Sequence, residues 1–291
     1  MLDNISRFRR LSRAVTTQSG ALDTSFLGLG RPLGSARVLN AIGHGKTDVS
    51  DLREYLELDS GLMSRLLRGL EAEGLITVES DGNDARRRVA QLTPAGRDAF
   101  HQYESLSNSA AEKVLTRYKD QDSLLAAMDL IATVLGRDHI EIAPVDPEDP
   151  RIAYCVNQFY DEITSILGIT FDPHASGNPE ADYLRPPKGI FLLATSDGLP
   201  IGCCGLKGQG TQLGEVKRLW LSSAARGLGL GKRLMDEIED HARKLGMTTL
   251  QLDTNGRLHA ALGLYRNNGW IEIDRYNDNP YAEHFFEKQL T

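Results

Sequence analysis

The densest chemistry in the chain lies at Arg226-Gly227-Leu228-Gly229-Leu230-Gly231-Lys232, directly after Glu215–Leu221, which reads as a strand. Glycines let a backbone approach an anion closely, and a helix beginning here offers unpaired N–H groups at its positive dipole end. A pyrophosphate is the natural guest of such a turn. A P-loop would need Gly at 226 and Ser or Thr at 233, where the chain has Arg226 and Arg233. A dinucleotide fingerprint would need Gly at 232, where the chain has Lys232. Both readings fail on spacing.

What remains is R-x-x-G-x-G on a turn between a strand and a long amphipathic helix. A second stretch accompanies it: Leu250-Gln251-Leu252-Asp253-Thr254-Asn255, then Ala260 to Leu264, Tyr265, and Gly269-Trp270. Together they resemble motifs A and B of the GNAT acetyltransferases, over about residues 138–291. The resemblance implies acetyl-CoA as cosubstrate and a small amine, a small molecule or amino-acid-like, as acceptor. It implies pyrophosphate contacts from Arg226, Gly227, Gly229, Gly231 and Lys232, mainly through main-chain donors. Leu219 and Leu221 would offer backbone bonds to the pantetheine arm and one N–H to the thioester oxygen, where charge develops. Tyr265 corresponds to the tyrosine near the coenzyme sulfur, a general acid for the departing thiolate; a helix tyrosine packing on the sheet is the other reading. Many relatives carry Asn where Leu258 stands, and Asn255 is the candidate to compensate. Deprotonation of the amine needs a base, and Glu215 at the strand start is the candidate, directly or through water. A solvent-facing strand glutamate fits that position as well. His174, His259 and His284 are further candidates. Tyr276–Glu287 mixes aromatics with carboxylates and suits either a cationic acceptor or a packed sheet edge.

The first half carries a different pattern. On a helix through Asp59–Leu70, residues Gly61, Ser64, Arg65 and Arg68 fall within roughly 100° of one another, and Leu62, Met63, Leu66, Leu67 and Leu70 lie opposite. Such a helix can bury one face and present small and cationic residues to a major groove, although any amphipathic surface helix shares the division. After it comes a β-hairpin pattern whose tip carries Asp84-Ala85-Arg86-Arg87-Arg88, arginines able to enter a minor groove. Leu58–Ile76, Asp84-Ala85-Arg86 and Leu92-Thr93-Pro94-Ala95-Gly96 resemble the winged-helix core of MarR-type regulators, over about residues 2–136. The resemblance implies a homodimer reading a pseudo-palindromic site on double-stranded DNA. It places Ser60, Ser64, Arg65 and Arg68 in the major groove and Arg86 on the wing, held by Asp84. The glycine-containing loop Gly20–Gly34 departs from a simple helix connection.

These residues need two sets of elements to position them. Residues 1–136 read as helices interrupted once by the hairpin. Gly136, followed by Pro144, Pro147 and Pro150, marks a junction, and strands alternate with helices beyond it. The expected fold is a mainly α winged-helix domain, 1–136, followed by an α/β domain, 138–291, with a mixed, mostly antiparallel sheet. The segment Thr170–Pro187 reads as a loop on the acceptor side.

Composition narrows the function classes. The 291 residues carry a net charge of −7, which divides into −1 over 1–136 and −6 over the rest. Fourteen of the 17 cations in the first part are arginine, the residue suited to phosphate and base edges. No apolar run approaches the ~20 residues of a membrane span, and no apolar stretch follows the N-terminal arginines as in a signal peptide. Cys155, Cys203 and Cys204 have no metal spacing, and the last two point to opposite faces of a strand. The expectation is a cytoplasmic, metal-free protein that is both a transcriptional regulator and an acetyltransferase working by direct transfer. Two alternatives stand beside it: a regulator whose second domain only senses acetyl-CoA or a metabolite, and an acetyltransferase that uses the first domain only to dimerise.

Overall fold

The computed structural model describes residues 3–82, 84, 87–170, 172–173, 181–210 and 212–290. It divides into two compact units, Met1–Gln121 and Asp122–Thr291. The division lies one helix ahead of the expected junction at 136–138.

In the first unit, α1 (Asn4–Gln18) precedes α2 (Leu33–Gly43), α3 (Val49–Tyr55) and α4 (Ser60–Ala72). Asp3, Asp48 and Asp59 start α1, α3 and α4 by accepting hydrogen bonds from first-turn N–H groups, the ordinary way to satisfy donors that have no helical partner. Strands β1 (Ile76–Ser80) and β2 (Arg88–Leu92) pair antiparallel, with Ile76 opposite Leu92. They lead into α5 (Pro94–Leu115). Leu39, Leu52, Met63, Leu67 and Leu70 form the centre of the core. The Leu92–Gly96 motif is a joint: Thr93 caps Gly96 and donates to the Gly74 carbonyl at 2.7 Å. A Cβ on Gly96 would stand 1.9 Å from the Leu75 carbonyl oxygen, so only glycine lets α5 come this close. The loop Gly20–Gly34 is pinned down as well, by Phe26 stacking on Tyr103 at 6.0 Å and by an Arg31–Glu73 ion pair.

The second unit starts with α6 (Gln121–Leu135), followed by β3 (Glu141–Val145), α7 (Pro150–Leu167), β4 (Gly189–Ser196), β5 (Leu199–Gly208) and β6 (Leu213–Leu221). Then come α8 (Leu230–Lys244), β7 (Thr249–Thr254), α9 (His259–Asn267), β8 (Ile271–Ile273) and β9 (His284–Gln289). The seven strands form one sheet in the order β3-β4-β5-β6-β7-β9-β8, antiparallel except for β6 against β7. Helix α8 covers one face through Leu230, Leu234, Met235 and Ile238, and α7 covers the other through Ile152, Cys155 and Val156. Cys203 and Cys204 belong to opposite faces, as their adjacency requires.

Candidate functional site

Strands β6 and β7 pair only over Leu213–Glu215 against Thr249–Gln251. Beyond that point β6 runs on to Leu221 and β7 to Thr254 without pairing to each other, so the sheet opens into a wedge. On its other edge β6 is irregular: Cys203 faces Trp220 and Gly205 faces Lys217. Arg218 and Leu219 together therefore oppose Cys204, a β-bulge, and Arg218 takes a left-handed backbone with φ +56°. The extra residue resets the alternation. Leu219 and Leu221 pack on the α8 side and Trp220 on the α7 side.

A cavity of about 110 Å³ fills the wedge. Tyr265 from α9 and Leu219 from β6 line it, with Lys217 and Arg218 on β6 and Asp253 and Asn255 at the end of β7. Phe159 and Tyr160 of α7 and Asn279 and Tyr281 of the segment before β9 complete the wall used below. The Tyr265 ring stands 6.0 Å from Trp270 and 5.7 Å from Phe286, and its hydroxyl makes no hydrogen bond to the described residues. Burial, with the nearby Cys204 and Asp253, pushes its pKa well above the usual tyrosine value, so the phenol holds its proton.

Glu215 is 3% exposed and does not line the cavity. Its carboxylate accepts from Gln209 at 2.9 Å and the Tyr276 hydroxyl at 3.0 Å, and it pairs with Lys217 at 2.8 Å. Lys217 also reaches Asp253 at 2.8 Å, and Asn277 and Asn279 donate to Asp253 at 2.6 and 2.9 Å. Burial works against the Lys217 ammonium, but Asp253 and Glu215 outweigh it and raise its pKa. Glu215 and Tyr265 are thus not brought together directly; Lys217 and Asp253 stand between Glu215 and the cavity. Asn255 spends its amide within the protein, accepting from Arg257 N–H and donating to the Tyr281 carbonyl at 2.7 Å. His284 pairs with Glu272, His259 is exposed at the start of α9, and His174 lies outside the described residues.

The glycine turn sits at the head of α8. Gly227 and Gly229 have φ of +78° and +77°, which only glycine adopts without strain. Gly229 is the N-cap residue; no side chain caps the helix and no acid occupies its first turn. The first helical N–H groups are therefore left to meet an anion. Gly231 packs beside Leu264, the neighbour of Tyr265, and beside Leu221, which brings the helix start to the wedge. The turn's cations are internally matched. Arg226 binds Glu162 of α7 and the Leu221 carbonyl, and Lys232 pairs with Asp236 at 2.6 Å. Glu162 also accepts from the Trp220 indole at 3.0 Å, locking α7 to the end of β6.

In the first unit, α4 buries Met63, Leu67 and Leu70 and exposes Ser60, Gly61, Ser64, Arg65 and Arg68, the division the helical spacing requires. Arg68 donates to the Ser64 carbonyl at 3.2 Å along this face. In the hairpin, Arg87 bonds Asp48 at 2.9 Å and ties the wing to the start of α3, while Arg88 is exposed. Arg86 lies outside the described residues, and with it the expected Asp84 contact.

Sequence reasoning missed Lys217, Arg218, Asp253 and Tyr160, and named Asn279 only as part of the Tyr276–Glu287 stretch. The signal available was Lys217-Arg218 inside a largely buried strand, where plain alternation would drive Arg218 into the core.

The profile of the Acetyltransferase (GNAT) family matches residues 156–270, and that of the MarR family matches residues 27–87. An IAA acetyltransferase of Azospirillum brasilense is 33% identical over 141 residues, covering 46% of this chain and 90% of the relative. An uncharacterised N-acetyltransferase of Schizosaccharomyces pombe is 37% identical over 105 residues, 35% of this chain and 64% of its own length. A solved GNAT-family acetyltransferase of Staphylococcus aureus Mu50 is similar over 52% of this chain and 99% of its own, at 22% identity and a TM-score of 0.45.

Proposed function

The chain belongs to the GNAT N-acetyltransferase family, with a MarR-family domain ahead of the GNAT domain, and from that premise we propose that it transfers acetyl from acetyl-CoA to an amine and binds operator DNA. We assign DNA binding and dimerisation to 1–136 and catalysis to 138–291. The observation that carries the catalytic reading is the wedge between β6 and β7, lined by Tyr265 and flanked by the uncapped start of α8.

When bound, acetyl-CoA supplies an acetyl group activated as a thioester. The N–H groups of the glycine turn, Gly227 to Lys232, hold its pyrophosphate, with Arg226 as the brace of the turn. Backbone groups of Leu219 and Leu221 on the open edge of β6 hold the pantetheine arm, and one N–H donates to the carbonyl oxygen as it becomes negative. Asn255 shapes the neighbouring wall through Tyr281. The amine nitrogen bonds to the carbonyl carbon, the carbon–sulfur bond breaks, and Tyr265 protonates the sulfur. Glu215, which does not line the cavity, is assigned as the base and takes the amine proton through water. No acyl-enzyme is required, because the buried Cys203 and Cys204 offer no nucleophile to the wedge: the hydrogen bond with Cys155, then burial, pushes the Cys203 thiol well up, and burial does the same to Cys204.

For DNA, Ser60, Ser64, Arg65 and Arg68 face the major groove, and Arg86 is assigned to the wing. The dimer is supported by α1, which buries no residue within the chain and leaves Ile5, Phe8 and Val15 more than half exposed. Both ligands, DNA and acetyl-CoA, are met in the cytoplasm.

Thiol release from acetyl-CoA across an amine panel, with the full-length protein, tests the reaction. Release above background for at least one amine is expected. Acetyl-CoA binding without release for any of them would leave only a sensor. Binding to the protein's own upstream DNA over a salt series tests the other half, because phosphate contacts demand affinity that falls steeply with salt.

A further inference from the structure

The acceptor side of the wedge has a composition of its own. The bulge swings Arg218 out of the apolar core and onto the α7 face. There its guanidinium stands 5.9 Å from the centre of the Phe191 ring and beside the Tyr160 hydroxyl. A left-handed backbone at a residue other than glycine is strained and persists where the surroundings hold it. Here it holds a guanidinium against a cavity of about 110 Å³.

The charges on that wall decide what the cavity takes. Among the described lining residues Lys217 and Arg218 contribute two cations and Asp253 one carboxylate, with Glu215 paired to Lys217 outside the lining. Asp253 is already satisfied by Lys217, Asn277 and Asn279, and Glu215 by Lys217, Gln209 and Tyr276. Among the described residues the wall thus offers no unengaged carboxylate to a second cationic centre, and a polyamine would meet Lys217 and Arg218. A guanidinium is planar, always charged, and matches a carboxylate with two parallel hydrogen bonds. Phe159, Tyr160 and Tyr281 give the rest of the wall an amphipathic aromatic surface.

We infer that the acceptor is an amine bearing a carboxylate, of amino-acid size, with Arg218 as the residue that binds the carboxylate and Tyr160 beside it. This rests on the acetyl-transfer reading for the fate of the amine, and on the wall alone for the carboxylate. Arg218 is then the specificity-determining residue of the site, and the bulge exists to present it.

The test uses the twenty standard L-amino acids, their α-amides and the matching decarboxylated amines. Each is assayed for thiol release from acetyl-CoA and for calorimetric binding to the full-length protein saturated with coenzyme A. Acids are expected to bind and react with a KM at least about tenfold below that of the amides, as a charge-assisted pair gives. Arg218→Gln raises KM for the acids by about that factor and erases the preference for acids over amides. Arg218→Lys keeps the charge but loses the fork, recovers part of the preference, and serves if Arg218→Gln does not fold. Binding of acids lost in Arg218→Gln, without thiol release from any compound, supports the carboxylate site and overturns acetyl transfer. Amides or simple amines that bind as well as the acids, a preference that survives Arg218→Gln, or no binding and no turnover by any compound would overturn the inference.

Discussion

Removing the Tyr265 hydroxyl separates proton donation from packing. The ring packs against Trp270 and Phe286 at 6.0 and 5.7 Å, and phenylalanine keeps both neighbours. Because the hydroxyl makes no hydrogen bond to the described residues, its loss orphans no buried partner. Tyr265→Phe should therefore change the unfolding free energy near neutral pH by no more than about 0.5 kcal/mol. General-acid groups contribute about 10²–10⁴ in rate, which at ~1.4 kcal/mol per decade amounts to about 3–5 kcal/mol of barrier. The assay is thiol release at saturating acetyl-CoA with an amine the wild type accepts, read beside a melting curve and the acetyl-CoA Kd. Turnover should fall by that factor with both controls unchanged. There is also a pH signature. The folded pKa of Tyr265 lies above that of the unfolded chain, about 10, so its contribution to stability is complete below pH 10 and lost as pH rises beyond it. Tyr265→Phe should accordingly resist alkaline unfolding better than wild type. Turnover unchanged in a well-folded variant would refute the general-acid role.

Arg65→Ala and Arg68→Ala should each weaken operator binding, read by fluorescence anisotropy. Each should also reduce the slope of log affinity against log salt by about 1 for every phosphate that is no longer neutralised. Gly96→Ala should destabilise the first unit by about 1–3 kcal/mol or more in chemical denaturation, since the Cβ meets the Leu75 carbonyl at 1.9 Å and backbone cannot easily give way. The Arg185 guanidinium, with the Glu148 N–H, holds the Asp146 carboxyl at about 2. Carbon-detected NMR should find it there, and Arg185→Gln should move it toward the ordinary range near 4. The stabilising effect of that pair is present above pH ~4 and is lost as pH falls toward 2.

Local spacing made the elements and the glycine turn legible, because both depend on a few neighbouring residues. The helical period of α4 places Arg65 and Arg68 opposite Met63 and Leu67, and the structure keeps that division. Gly227 and Gly229 adopt the positive φ for which glycine is suited. The acceptor wall was not legible. Strict alternation over Glu215–Leu221 puts Val216, Arg218 and Trp220 on one face; a single bulge moves Arg218 and Trp220 to the other, and nothing in the local spacing announces it. Asp253 looked like an ordinary strand end until Asn277 and Asn279 arrived from 24 and 26 residues away to clamp it. Register and long-range clamps are set by tertiary packing, so single-sequence patterns underdetermine them.

The same limit applies to charge, and it changes how the two anion sites should be understood. The sequence reading puts arginine side chains on α4 and, at the glycine turn, mainly main-chain donors beside Arg226 and Lys232. The structure divides them. Arg226 is spent on Glu162 and the Leu221 carbonyl, and Lys232 on Asp236. Attraction for an anion at the turn then rests on N–H groups and the start of α8, fixed dipoles that fade within a helical turn and carry no net charge. On α4, Arg65 and Arg68 stand exposed on the outer face, where their charge reaches a polyanion over a Debye length, about 10 Å at 0.1 M salt. On the proposed function, DNA affinity at α4 is expected to be long-ranged and governed by ionic strength, and coenzyme affinity at the turn short-ranged and governed by fit. The net charge of −7 is consistent with both, because the turn has no need of a basic surface and α4 needs only two well-placed arginines on a nearly neutral domain.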